Sequence, residues 1–236
     1  ATALAGALLV SGCAVVDSIA GPSSPHSQIA RDLGMPTANP EVVGFSTAGL
    51  DALTAEFRGL VDQGKLAGVT TLVARHGKVV HFDAYGEQDA GKDIPLRPDS
   101  IFRIASMTKP ITGVAMMQLF EQGKWALEDP VSKHVPELAG LQVLTWKDGK
   151  PVMKDGKPVL APASHEPTMK ELMSHTAGFG YGLSGDDPVN NAFRDKAVLA
   201  SANLEEMIGK IKDIPLIYDP GSRWYYSAAV DIQGYI

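Results

Sequence analysis

Hydrophobic positions along the chain change rhythm several times, and each rhythm predicts an element. After Ser46, a residue suited to an N-cap, Leu50, Leu53, Phe57, Leu60 and Val61 recur at helical spacing until Gly64 closes the run. Two β-branched runs then flank His76-Gly77 and predict a hairpin over roughly 68–75 and 78–85. Gly, Asp and Pro dominate 86–99, which reads as a loop, and 101–104 reads as a short extended stretch. Residues 107–122 return to helical spacing through Val114, Met117, Leu119 and Phe120, with Gly123 as the stop. Asp129-Pro130 predicts the start of a short helix, and Thr168 caps another that runs to about His175. Asn203 with Glu206 forms a capping-box pattern before Leu204, Met207, Ile208 and Ile211. Pro215 stops that helix, Asp219-Pro220-Gly221 turns the chain, and 227–236 is again helical. The order is helix, hairpin, then a long helical region, which predicts an α+β fold rather than alternating βαβ units.

Within this outline the hexapeptide KDGKPV occurs at 147–152 and again at 154–159. Each Asp-Gly is a turn signal between short apolar runs, so the segment reads as a β-hairpin excursion on the surface. Two copies are too few for a solenoid.

Composition narrows the function classes. The chain has 236 residues, 44% hydrophobic and 20% charged, enough apolar material for a sizeable core. A net charge of -6 and the absence of a basic cluster exclude a nucleic-acid surface. None of the six histidines has a second ligand-type residue at metal-site spacing, and Cys13 is the only cysteine, so neither a metal centre nor an internal disulfide is expected.

The first residues, ATALAGALLVSGCAVVDS, carry no charge before Asp17. An apolar run too short to span a bilayer ends in Val10-Ser11-Gly12-Cys13. Small residues before a lone cysteine suit the end of a bacterial lipoprotein signal, with Cys13 carrying the lipid and a Ser/Pro/Gly stretch (18–40) as tether. This predicts membrane attachment through Cys13 and a place in the cell envelope, on the periplasmic side. The missing initiator Met and the close at IQGYI, inside an apolar-periodic segment, are read as truncation at both ends.

The chemistry centres on SMTKP at 106–110. Residues i and i+3 of a helix share a face, so Ser106 and Lys109 face the same space. A serine at the start of the helix has the positive end of the helix dipole nearby, which favours a developing alkoxide. Lys109 can accept the serine proton only if its pKa falls well below about 10.4. Ile104, Met107 and Ile111 are the apolar neighbours that would supply the burial. With Ser106 as cap, Pro110 is the fourth helical residue, where a missing N–H costs little. That supports a helix start near Ser106, whatever the serine does. With 15 serines and 14 lysines, roughly one Ser-x-x-Lys arises by chance. Taken alone, Ser106 is as well explained as a helix cap.

Company decides between cap and nucleophile. SMTK, HTAG at 175–178 and PGSRWYYS at 220–227, in that order, resemble the serine β-lactamase and penicillin-binding-protein superfamily, most closely the class C β-lactamase-like esterases of carboxylesterase family VIII. The likeness covers about residues 45 to 236, and SMTKPITGVAMM and ELMSHTAG are its most specific stretches. The resemblance implies a β-lactamase/transpeptidase-like fold, with an antiparallel sheet flanked by helices and a helical domain. It implies Ser106 as acylated nucleophile, Lys109 as its helper, and a tyrosine that relays the proton as base and then acid, with no cofactor. Trp-x-Tyr-Ser-Asn aligns with Trp224 to Ala228 and selects Tyr226, while a register selecting Tyr225 fits less well. Ala228 stands where Asn is common, and in β-lactamases that Asn helps hold the substrate amide. The departure favours esters over lactams. Tyr181, Trp224 and Ser227 are candidate pocket residues, and His175-Thr176-Ala177-Gly178 reads as a structural turn in which Gly178 closes a helix.

The expected function is therefore a serine hydrolase acting on small ester substrates. A β-lactamase or D-Ala-D-Ala peptidase of the same fold, and a non-catalytic lipoprotein that binds cell-wall material, are the alternatives. Residues 1–40 are expected to be signal and tether, and 41–236 the N-terminal and helical portion of the hydrolase domain. A Lys-Thr-Gly-like strand motif, which would supply the second oxyanion N–H, does not follow Tyr226 here. The family's last three sheet strands are expected beyond residue 236, and the 236-residue piece alone is expected to fold poorly and be inactive.

Overall fold

The structure is a computed structural model that describes residues 24–236. Cys13, and with it the lipidation site, lies outside the described residues. The chain divides into two compact units between Arg103 and Ile104.

The first unit begins earlier than the sequence suggests. A 3₁₀ turn at Pro25–Ser27 leads into α1 (Gln28–Asp32). Ala30 is buried against Val79 and Phe82, and Thr37 forms a parallel bridge with Val79. The stretch read as a tether is therefore packed onto the sheet from about Ser24. α1 is five residues long, too short to show a period among prolines and serines. α2 (Thr47–Asp62) starts where expected, with the Ser46 hydroxyl accepting the Gly49 N–H at 3.0 Å.

β1 (Gly68–Arg75) and β2 (Lys78–Asp89) form the expected antiparallel hairpin, and β3 (Ile94–Pro95) adds a short edge strand in the order β1-β2-β3. The predicted 86–99 loop thus gives up 86–89 to β2 and 94–95 to β3. His76 and Gly77 both have positive φ, 52° and 72°, as a two-residue turn of the primed type requires. The extended stretch at 101–104 finds no strand partner, and Ile101 is 94% exposed.

In the second unit α3 (Thr108–Glu121) follows a 3₁₀ turn at Ala105–Met107. Pro110 is the third residue of α3, inside the first turn where its missing N–H has no intrahelical role. β4 (Gln142–Leu144) pairs with β9 (Leu160–Pro162) around two small hairpins, β5 (Trp146–Lys147) with β6 (Lys150–Pro151) and β7 (Met153–Lys154) with β8 (Lys157–Pro158). Asp148-Gly149 and Asp155-Gly156 turn them with positive φ throughout. The repeat closes on itself: Val152 N–H bonds Thr145 O, Val159 N–H bonds Val152 O, and Thr145 N–H bonds Val159 O.

Four short helices complete the unit: α4 (Met169–Met173), α5 (Pro188–Asp195), α6 (Leu204–Ile211) and α7 (Ala229–Tyr235). Thr168 and Glu171 make a full capping box on α4. α7 lies at the centre, beside α3, α4 and α6, with Ile232 fully buried among Leu172, Ile208 and Ile211. Gln233 is buried too, and its side-chain amide donates to the Leu172 carbonyl at 3.0 Å. The architecture is α+β, as the sequence predicts.

Candidate active site

Ser106 does not cap α3. The N-cap position falls on Met107, which makes no side-chain capping bond, and Ser106 sits in the turn before it. Ala105, just upstream, has φ of 47°, a left-handed conformation costly for a residue with a Cβ. The Ser106 hydroxyl instead accepts a hydrogen bond from the Tyr226 hydroxyl, 2.8 Å away and 120 residues further along the chain.

Tyr226 reaches this place because two segments run side by side. Ile217 N–H bonds Gly178 O, Gly221 N–H bonds Thr176 O, Tyr225 N–H bonds His175 O, and Ala228 N–H bonds Gly180 O. Residues 175–180 thus form a rail for 216–228. The rail needs its glycine: Gly178 has φ of 85°, and a Cβ there would stand 2.1 Å from the Tyr218 carbonyl oxygen. The helix-ending turn itself is made by His175, not Gly178. His175 has φ of 57°, and the Thr176 N–H returns to Glu171 O at 2.9 Å, the Schellman arrangement.

The adjacent tyrosine has a different task. The Tyr225 hydroxyl accepts from the Asn190 side-chain amide at 2.8 Å, and its ring packs edge-on against Tyr218. The structure therefore brings Tyr226, not Tyr225, to Ser106.

Lys109 lies in the first turn of α3 and donates from Nζ to the Tyr181 hydroxyl at 3.2 Å. The same Nζ lies 4.8 Å from the centroid of the Tyr226 ring and 5.3 Å from that of Tyr181. The two tyrosine rings meet edge to face at 5.4 Å. Tyr181, expected as pocket lining, is thus a partner of the lysine.

These contacts correct the expected lysine chemistry. Burial pulls the Lys109 ammonium down, but the hydroxyls of Tyr226 and Tyr181 outweigh it and leave its pKa above the ordinary lysine value. The side chains expected to bury it are themselves exposed: Ile104 37%, Met107 66% and Ile111 62%. In turn the Lys109 ammonium, and then the Ser106 hydroxyl, hold the Tyr226 phenol below the usual tyrosine range. The two shifts run in opposite directions, the lysine towards holding its proton and the phenol towards losing it.

A further expectation changes. Ser227 is buried, not pocket-lining; its hydroxyl accepts the Ala229 N–H at 3.3 Å at the start of α7 and stands 3.1 Å from His175 Nδ1. Trp224 is exposed, with its ring 6.2 Å from that of Tyr226, where it can border an approaching substrate. Ala228 is fully buried and sends no polar group towards Ser106. Sequence reasoning gave His175 no part beside Tyr226, although the HTAG turn was visible; the signal was present and the partner was not. Among the described residues no cluster of three His, Cys, Asp or Glu side chains could hold a metal ion.

The structure thus gathers a serine, a tyrosine hydroxyl bonded to it and a lysine cation over the tyrosine ring, the residue types acyl transfer through a serine calls for, on an α+β fold. The chain belongs to the beta-lactamase family, whose model matches residues 53–236. It is 34% identical over 187 residues to the protein Rv1367c of Mycobacterium tuberculosis, covering 79% of this chain and 45% of that protein. It is 32% identical over 200 residues to Esterase EstB of Burkholderia gladioli, covering 83% and 47%. Among solved structures it resembles EstCE1, described as a hydrolase with promiscuous acyltransferase activity, with TM-score 0.62 and 29% identity over 78% of this chain and 45% of that one. The chain spans about half the length of the curated relatives it matches.

Proposed function

We propose that the protein is a serine hydrolase working through an acyl-serine intermediate, a carboxylesterase for short acyl esters. The observation that carries this reading is the 2.8 Å hydrogen bond between the Tyr226 hydroxyl and Ser106 Oγ, with the Lys109 cation alongside. As phenolate, Tyr226 takes the Ser106 proton while Oγ bonds to the ester carbonyl carbon. The tetrahedral intermediate collapses by breaking the bond to the alcohol oxygen, which leaves with the proton Tyr226 holds. Water then attacks the acyl-serine, giving a proton to Tyr226, and the carboxylic acid departs as that proton returns to Ser106 Oγ. Lys109 keeps its charge throughout and stabilises the phenolate. The likeness to EstB and EstCE1 supports this chemistry, and acyl transfer to an alcohol in place of water follows the same steps.

Ester rather than lactam preference rests on Ala228, a buried methyl where a side-chain amide would hold the lactam's own amide. One missing hydrogen bond of that kind costs about 1–1.5 kcal/mol, roughly a tenfold rate difference. In the full-length protein, kcat/KM for p-nitrophenyl butyrate should exceed that for nitrocefin by about tenfold or more. Equal or faster nitrocefin turnover would establish a β-lactamase instead.

We also propose that Cys13 is lipid-modified and anchors the protein in the bacterial cell envelope, on the strength of the small residues before a lone cysteine. Among the described residues no helix is long and apolar enough to cross a membrane. Metabolic labelling of the full-length protein with palmitate should be abolished by Cys13→Ser; label retained in that variant would rule the anchor out.

A further inference from the structure

The turn that ends α4 holds the residue on which the proposed chemistry depends. The His175 main-chain carbonyl accepts the Tyr225 N–H at 2.8 Å, and its ring nitrogen Nδ1 accepts the Ser227 N–H at 3.2 Å. Tyr226 is therefore the single residue between two backbone N–H groups, both held by His175. The imidazole also lies against the Tyr226 ring, with centroids 5.1 Å apart and planes tilted by 33°, and Trp224 meets its edge at 6.1 Å. His175 itself has a left-handed backbone, with φ of 57°.

A nitrogen that accepts a backbone N–H must present a lone pair. In the neutral ring the proton is then on Nε2. The same Nδ1 stands 3.1 Å from the Ser227 hydroxyl, so an imidazolium would turn its Nδ1–H towards that oxygen and leave the Ser227 N–H without its acceptor. The surroundings favour the neutral form. The ring is half-buried, and the charged group facing it is Lys109 from α3. Tyr226 is the other titratable group against it, and Asp231 of α7 acts on Lys109 and Tyr226. Burial first, and the Lys109 charge second, push His175 below the ordinary histidine value.

We propose that His175 is the positioning residue for Tyr226: as a neutral imidazole protonated on Nε2 it holds the Ser227 N–H, sets the phenol on Ser106, and releases it when charged. The proposal rests on the hydrolase reading above, in which Tyr226 is the base.

The test compares the full-length wild-type protein with His175→Asn and His175→Ala, using p-nitrophenyl butyrate. The Asn side-chain oxygen replaces Nδ1 as an acceptor, does not titrate, and tolerates the left-handed backbone. We expect His175→Ala to lose about 10²-fold in kcat with KM little changed, the usual cost of a catalytic group displaced by about 1 Å. His175→Asn should recover most of that loss. In the wild-type protein kcat/KM should fall with acid more steeply than one proton allows, as Tyr226 and His175 both take protons; in His175→Asn the fall should become that of a single group. Nitrogen NMR of the wild-type ring should show the Nε2–H tautomer. Equal impairment of the two variants, a steep acid fall surviving in His175→Asn, or an Nδ1–H tautomer would each overturn the positioning role. A wild-type protein without Ser106-dependent turnover would sink the hydrolase reading instead, and the tautomer would then decide the hold on Ser227 by itself.

Discussion

Replacing Ser106 by Ala in the full-length protein should reduce hydrolysis of a short p-nitrophenyl ester to the uncatalysed background and abolish labelling by a fluorophosphonate. The size of the effect follows from the role. Without Oγ no acyl-enzyme forms, and removal of a catalytic nucleophile commonly costs on the order of 10⁶-fold in kcat. Folding should be untouched, because the Ser106 hydroxyl neither caps α3 nor lies in the core. A variant that keeps its activity and is still labelled would show that Ser106 is an ordinary surface serine.

Tyr226→Phe carries the second large effect. The ring and its packing against His175 and Tyr181 remain, and only the hydroxyl 2.8 Å from Ser106 is lost. General base and acid contributions of this kind are worth roughly 10²–10⁴-fold, and they act in the transition state, so kcat should fall while KM barely moves. The sign of the pH dependence follows from the direction of the shift. Lys109, then Ser106, lower the phenol's pKa, so activity is present above that lowered value and is lost as pH falls through it. In Tyr226→Phe this acid limb should disappear along with most of the rate. A variant with wild-type kcat and an unchanged pH profile would transfer the proton relay to another group.

How much of this was legible in the sequence varies residue by residue. Ser106, Lys109 and Tyr226 stood in short motifs, and the elements that carry them, α3 and the segment before α7, were marked by Pro110, Gly123 and the Asp219-Pro220-Gly221 turn. The hairpin at 68–85 and the doubled Asp-Gly turns were equally plain, because strand period and turn chemistry are local. α5 was missed although Asp187-Pro188 is a regular helix opening, with the Asp187 carboxylate accepting the N–H groups of Val189 and Asn190. The Pro25–Asp32 segment reads as a tether because five helical residues give no period, and its burial depends on Val79 and Phe82 from a distant strand.

The direction of the Lys109 shift is hidden in the sequence for a related reason. Burial is outweighed there by the hydroxyls of Tyr226 and Tyr181, which arrive from 117 and 72 positions away, so counting apolar neighbours along α3 could not reveal the direction. The same holds for His175 and Ser227. Each looked like turn chemistry in its own stretch, and only the pairing of 175–180 with 216–228 gives them a shared purpose.

The separation of nucleophile and base along the chain has a consequence of its own. Bringing together two residues 120 positions apart closes a loop whose chain entropy amounts to on the order of 4 kcal/mol, before any contact compensates it. A serine hydroxyl by itself is a poor nucleophile, so a nascent or misfolded copy of this chain carries a harmless alcohol at position 106. On the proposed reading, reactivity at Ser106 would arrive only once the fold has brought Tyr226 to it.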